Sequence, residues 1–261
     1  MLYILKIELI STNGEWTEVN RFEYDYNLRL LTKKKRREII YDKELKMHFE
    51  HNRGFDLSYQ IDIKNINLYL SKRLQKASDF IRRLNYIYDW IILTLNTERG
   101  RVISIENKNE LNSNWQKIRS LLKKDYEGKE VEEHLEEIDS RLKLANQEKI
   151  VSHCYHHFGL LFPHIRLQSN NQENKRLIEL SPYENEKFEE HIVYSETIDK
   201  VRNYNVKGYV LPNSKLKLKK YEGIISIDEN KFMPSHAEIE VVYNNDGICN
   251  SWRFKLDKYK I

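Results

Sequence analysis

The sequence predicts an α+β protein, with antiparallel strands at both ends of the chain packed on a central set of long helices. Three observations predict this class: apolar and polar residues alternate over residues 1–66, a helical apolar rhythm dominates 67–165, and alternation returns over 175–261. A chain of 261 residues suits one large domain or two small ones, and we expect a single domain. The two β blocks are expected to form one large curved sheet, with two sheets as the alternative.

The N-terminal block is predicted to contain strands at 2–10 and 16–26, followed by a basic run. Residues 44–50 and 55–63 then form a predicted hairpin around Gly54. Short strands joined by Gly/Asn turns indicate antiparallel pairing, because parallel strands need long crossovers.

The middle block is predicted to be mainly helical. A first apolar stripe runs from Leu70 to Tyr88 at spacings of three and four residues. A hairpin near 90–106 follows, although its first apolar run could instead extend the helix. A Trp115-bearing helix is then predicted to end near Gly128, and a long helix to start near Val131 and drift in phase toward Phe158.

The C-terminal block returns to alternation after a polar loop at 170–173, the best candidate for a linker. Six strands are predicted, at 176–180, 188–198, 207–211, 216–227, 236–243 and 250–256. The run Asn244-Asn245-Asp246-Gly247 is the strongest hairpin signal in the chain, because Asn and Gly tolerate the positive φ of tight turns.

Composition excludes several classes of protein. Apolar residues make up 40% and aromatics 11%, which is enough for a packed core and excludes wholesale disorder. No apolar run approaches the roughly 20 residues of a membrane helix, so we expect no membrane association. The first residues carry charges and lack a small-residue cleavage site, so no signal peptide is expected. Two cysteines do not form a disulfide framework, and a reducing cytoplasm is the expected location.

The histidines near residue 155 are the most prominent candidate metal ligands. His153 and His157 lie four apart on a predicted helix, so both rings could face one ion, with Cys154 or His164 as a further ligand. No Glu separates the two histidines, so the zinc-protease pattern is absent. A structural role at a helix C-terminus, where a positive ring suits the dipole, is the favoured interpretation.

Five consecutive cations form the candidate binding site: Lys33, Lys34, Lys35, Arg36 and Arg37. They could contact phosphates or an acidic partner, or form a solvated loop. The net charge is only +4 and no basic face with stacking aromatics can be assembled, so nucleic-acid binding is not expected.

No phosphate-binding Gly loop or nucleophile elbow occurs, so we expect a non-enzymatic protein without a cofactor. Glu238 and Glu240 beside Asp228 could imitate a nuclease metal site, but such an alternation is also typical of a solvent face. The 17 tyrosines are too many to bury with their hydroxyls paired, and exposed Tyr is favoured at protein interfaces.

Residues 90–140 resemble a pattern in uncharacterised cytosolic proteins of Bacteroidota. The strand Leu93–Leu95, the strand Gly100–Asn107 and the helix with Trp115 follow one another as in that pattern, with the spacing after Gly100 one residue tighter. The resemblance implies a non-enzymatic protein, and some such proteins are associated with contractile, type VI-like secretion loci. It transfers no catalytic residue.

Together these features favour a cytoplasmic protein-binding module: an adaptor, a chaperone or an immunity-type partner, with another protein as its ligand. The first alternative is a carrier that holds an apolar ligand in the cup of a curved sheet. The second is a metal-dependent hydrolase or nuclease. The pattern leaves the oligomeric state open.

Overall fold

The computed structural model describes residues 2–13, 36–70, 77–143, 147–166, 173–181, 186–229 and 233–259. The strands in these ranges are β1 Leu2–Asn13, β2 Arg36–Arg53, β3 Asp56–Leu70, β4 Trp90–Asn96, β5 Arg101–Ile105, β6 Asn174–Glu179, β7 Lys187–Ile198, β8 Val201–Val210, β9 Lys217–Asp228, β10 Met233–Asn245 and β11 Ile248–Tyr259. The helices are α1 Ser78–Leu84, α2 Lys108–Asp125, α3 Lys129–Leu142 and α4 Gln147–Ser152, with a 3-10 turn at Asn85–Tyr88.

The strands form one hydrogen-bonded sheet in the order β5-β4-β3-β2-β1-β11-β10-β9-β8-β7-β6. Each half is an up-and-down meander, and the halves join where β1 pairs antiparallel with β11 from Leu2↔Tyr259 to Asn13↔Ile248. The N-terminal and C-terminal β blocks therefore share a single antiparallel sheet.

Turn chemistry fixes the tightest hairpin of this sheet. Asp246 and Gly247 both have positive φ, +47° and +79°, between β10 and β11. Two successive residues with positive φ match the twist of the flanking strands. The predicted turn at 244–247 is confirmed, as are the six C-terminal strands to within a few residues at most ends.

One face of the sheet carries the core. Alternate residues of β7 to β11 point inward, for example Phe188, Tyr204, Ile225, Ile239 and Phe254, each at most 2% exposed. The side chains that pack on this face come from the middle of the chain. They include Leu84, Trp115, Leu135, Tyr155 and Phe162.

Helices α2 and α3 are held to each other by a part-buried polar contact. The Trp115 indole in α2 donates a hydrogen bond to Asp139 Oδ1 in α3 at 2.5 Å, and Arg119 Nε lies 3.1 Å from Asp139 Oδ2. Because of this contact, the indole ring is buried while its N–H keeps a hydrogen-bond partner. In the described part of the chain, no helix combines the length and apolarity that a membrane span requires.

The predicted α+β class with long central helices is wrong, because the protein is mainly β and its helices are few and short. The predicted helix from Leu70 to Tyr88 is wrong at its start, because Leu70 still belongs to β3, where it pairs with Ile39 of β2. Its later part is confirmed as α1 and the 3-10 turn that follows. The antiparallel ladder with β2 overrides the helical spacing of the local sequence.

The long helix predicted from Val131 to Phe158 is also wrong. The helix α3 ends at Leu142 and α4 at Ser152, and Cys154 forms an isolated bridge with Glu179 beside β6. Pairing with a strand edge satisfies the backbone of this segment, so no helix is needed there. The predicted 90–106 hairpin is confirmed as β4 and β5, while the segment 16–26 and the 170–172 loop lie outside the described residues.

Candidate functional site

A covering segment, residues 153–166, lies across the core face of the sheet. Its start pairs with the edge of β6: Tyr155 N–H donates to Glu179 O at 3.0 Å, and Glu179 N–H donates to His153 O at 2.8 Å. Phe158 and Phe162 are then buried in the core. The apolar sequence Phe-Gly-Leu-Leu-Phe packs into the core on this face of the sheet.

A buried ion pair holds the covering segment to β6 and β7. Arg176 Nε donates to Glu190 Oε1 at 2.7 Å, and Arg176 Nη1 donates to the carbonyls of Gly159 and Phe162, both at 2.9 Å. The hydroxyl of Tyr155 also donates to Glu190. One guanidinium thus neutralises a buried carboxylate and satisfies two backbone carbonyls of the segment.

Burial dominates the electrostatics of this pair. It lowers the pKa of Arg176 to about 10, which leaves the guanidinium charged at neutral pH. It also raises the pKa of Glu190, while the hydrogen bond from the Tyr221 hydroxyl opposes that rise.

A second buried basic side chain reaches the segment from the other half of the sheet. Lys43 in β2 is 3% exposed, and its Nζ donates to His156 O at 2.8 Å. Burial lowers the pKa of Lys43 to about 7. The same environment raises the pKa of the Cys154 thiol to about 12, so this cysteine is an unreactive thiol.

The interior beside the covering segment is nearly full. A cavity of about 20 Å³ is lined by Gly100, Leu161, Ile165 and Ile227, among others. This is room for about one water molecule and not for an apolar ligand. Side chains of the protein itself therefore fill the space beside the covering segment.

The opposite face of the sheet carries an outer patch, which we define as Leu177, Val193, Tyr209 and Ile224. Their exposed fractions are 46%, 45%, 48% and 46%. They lie on the adjacent strands β6, β7, β8 and β9, on the face opposite Arg176 and Glu190. The patch places half-exposed apolar side chains on four neighbouring strands.

Strand register sets the spacing of the outer patch. Glu189 lies between Leu177 and Tyr209 as cross-strand partner of both. Asn205 stands between Val193 and Ile224 in the same way. Directly opposed residues are about 5 Å apart, so each apolar pair spans about 10 Å across one polar side chain.

Several charged groups within and beside the outer patch are paired with one another. Lys220 Nζ lies 2.9 Å from Glu222 and 2.8 Å from Glu240. The His191 ring lies 4.6 Å from the Tyr209 ring and hydrogen-bonds to Glu189 and Glu173. His191 lies opposite Lys175 and Lys207 in the row between the two apolar pairs, so apolar and charged side chains alternate across the outer patch.

The structure describes only part of the basic run that was predicted as a binding site. Lys33, Lys34 and Lys35 lie outside the described residues. Arg36 and Arg37 are the first residues of β2, where the backbone of Arg37 pairs with Ser11 of β1. The run therefore leads directly into a strand in the middle of the sheet.

The predicted metal ligands His153 and His157 are not on a helix, so the helical spacing that suggested a shared ion does not apply. The His153 ring contacts His164 at 4.4 Å, whereas the His157 ring contacts Tyr88 at 4.9 Å. In the ranges that the structure describes, no group of three or more potential ligands is arranged to hold a metal ion.

Sequence reasoning missed the outer patch, although a signal was present. In a strand that buries one face, apolar residues at two successive positions point to opposite faces. The pairs Leu177-Ile178 and Ile224-Ile225 have this form, and in each pair the structure buries the second residue and exposes the first.

Comparisons with known proteins assign no family to this chain. No family model matches it, and no curated protein matches it. Among solved structures, one on lipid–protein interactions in lipovitellin is similar over 99% of this chain, with 10% identity and a TM-score of 0.46. This chain covers 25% of the lipovitellin chain. Similarity at this level carries no information about ligand or activity.

Proposed function

We propose that this protein is a non-enzymatic, cytoplasmic protein-binding module that binds its partner through the outer patch. The observation that carries the proposal is the outer patch itself: four half-exposed apolar side chains on adjacent strands of one sheet face. Apolar side chains interleaved with polar ones are typical of protein interfaces, which as a whole are only about as apolar as the rest of a protein surface.

The chemistry of the outer patch supports a protein rather than a small molecule as ligand. Tyr209 offers a large, rigid ring with a polar tip, a combination favoured at interface centres. The polar residues between the apolar ones, Glu189 and Asn205, can accept and donate hydrogen bonds across a flat contact. Both free cysteines are buried, which suits a reducing cytoplasm.

The carrier alternative is less well supported. An apolar ligand on the core face would have to displace the covering segment, whose carbonyls accept hydrogen bonds from Arg176 and Lys43. The hydrogen bonds from the charged Arg176 guanidinium are about twice as strong as neutral ones. A protein ligand on the outer face requires no such displacement.

Native mass spectrometry on protein tagged at its chromosomal locus tests the proposal. The wild type is expected to purify with a second protein of defined mass, and Tyr209→Ser with Ile224→Ser is expected to lose it. Tyr69→Ser with Ile248→Ser is the matched control, since these side chains are 59% and 39% exposed and lie outside the outer patch.

Retention of the partner by the outer-patch variant, at the yield of the control, would contradict the proposal. Peptide sequencing of a captured partner would also show whether it is a secretion-system effector, which stays a prediction from the sequence resemblance.

A further inference from the structure

Two basic runs that are far apart in the sequence lie at the same end of the sheet. One run ends with Arg36 and Arg37 at the start of β2, and the other, residues 215–220, includes the start of β9. Cross-strand pairing connects the two runs in one row of residues: Arg36, Thr12, Cys249, Asn244 and Lys217. Four steps between neighbouring strands, of about 4.8 Å each, separate the ends of this row by about 19 Å along the sheet.

The second run carries a line of exposed charges, which we call the lysine stripe: Lys215, Lys217 and Lys219. Leu216 and Leu218, which alternate with these lysines, are partly buried and pack against the core. The alternation directs the three ammonium groups away from the core. Because residues two apart in a strand are separated by about 6.6 Å, neighbouring charges of the stripe repeat at roughly that interval.

An irregularity in the pairing of β9 with β10 exposes the lysine stripe. Lys220 lies opposite Val242. Leu218 lies opposite Tyr243, the next residue of β10, so Lys219 has no partner residue on that strand. Such a bulge adds one residue to a strand and shifts which of its residues face the core. Without the extra residue, alternation from the buried Tyr221 would direct the stripe lysines of β9 toward the core.

The lysine stripe has no countercharge of its own. The next residue, Lys220, pairs with Glu222 and Glu240. In the part of the chain that the structure describes, the three stripe lysines form no such ion pair. The residues between Lys217 and Arg36 in the cross-strand row are uncharged as well. A bound anion would therefore relieve the mutual repulsion of these lysines without displacing a carboxylate of the protein.

We propose that the lysine stripe and Arg36 form a binding surface for an acidic segment of a partner protein. An extended peptide presents alternate side chains at about 6.6 Å, which is the interval of the lysine stripe. A nucleic acid fits less well, because proteins bind single strands by stacking the bases on aromatic side chains. The row from Lys217 to Arg36 contains no aromatic residue. This inference does not rest on the outer patch.

Fluorescence anisotropy with a labelled ten-residue peptide of alternating Glu and Ser tests the surface. The wild type is expected to bind it saturably, with an affinity that falls as salt is added. The double variant Lys217→Gln, Lys219→Gln is expected to weaken binding about fivefold, because two charge contacts are lost. Arg36→Gln is expected to weaken it as well. The double variant Lys117→Gln, Lys124→Gln removes the same charge from exposed positions of α2 and should leave the affinity unchanged.

The same peptide with Gln in place of every Glu is expected not to bind. The proposal is overturned if the variant of the lysine stripe binds the Glu peptide as tightly as the α2 control does, or if Arg36→Gln binds it like the wild type. Tighter binding of an oligothymidine of equal charge than of the Glu peptide would also overturn it, in favour of a nucleic-acid ligand.

Discussion

Arg176 and Glu190 form an ion pair inside the core, with Nε and Oε1 2.7 Å apart and side chains only 1% and 0% exposed. The pair links β6 to β7 across the inner face of the sheet and anchors the carbonyls of Gly159 and Phe162. The two residues thereby connect the C-terminal meander to the segment that fills the sheet.

Replacing Arg176 with Met is expected to lower the free energy of unfolding by about 3–5 kcal/mol, because a buried carboxylate loses its countercharge. Urea denaturation measures the change. Lys123→Met is the control, since Lys123 pairs with Glu132 at the surface and such pairs contribute about 0–1 kcal/mol. Equal effects of the two substitutions would show that the buried pair has no special role.

The double variant Arg176→Met, Glu190→Met is expected to be more stable than Arg176→Met alone, because it leaves no buried charge unpaired. A double variant less stable than the single one would mean that the carboxylate is stabilised mainly by the hydroxyls of Tyr155 and Tyr221.

Lys43→Met is expected to change how stability depends on pH. Burial lowers the pKa of Lys43 to about 7 in the folded protein from 10.5, so the unfolded chain binds more protons between these values. Stability of the wild type should therefore rise with pH from 7 to 9 relative to Lys43→Met. Lys64→Met, at an exposed position, is the control. Its free energy of unfolding, measured by denaturant titration at each pH, should change with pH as that of the wild type does.

Gly100→Ala is expected to destabilise the protein by several times more than Gly54→Ala. Both glycines have positive φ, +62° and +66°, so both variants carry a similar backbone strain of about 1–2 kcal/mol. Only at Gly100 would the new Cβ meet the Ile165 carbonyl, whereas nothing lies within 4 Å of it at Gly54. The midpoints of thermal unfolding of the two variants measure this difference. An equal fall in both midpoints would contradict the close contact between Gly100 and Ile165.

Much of the sheet can be predicted from the local sequence, but the conformation of the covering segment cannot. The hairpin at Asp246-Gly247 and the strand around Phe188 are set by turn residues and alternation, which act over a few residues. Cys154 instead pairs with Glu179, and that contact depends on where β6 lies in the finished sheet. Helical spacing before Phe158 therefore predicted a helix that tertiary pairing replaces.

The partners of the buried charged residues could not be predicted from the local sequence either. Glu190 alternates with Phe188 and Ile192, which indicates an inward carboxylate, but its partner Arg176 is identified only by the β6–β7 register. Lys43 contacts a carbonyl 113 residues away, a distance over which no local pattern carries information.

The central claim is that a protein partner covers the outer patch. A photo-crosslinking amino acid at position 209, compared with the same residue at position 69, tests it most directly in the protein's own cells. We predict an adduct of defined mass from position 209 and none from position 69. Adducts of equal yield at both positions, or at position 69 alone, would contradict the claim.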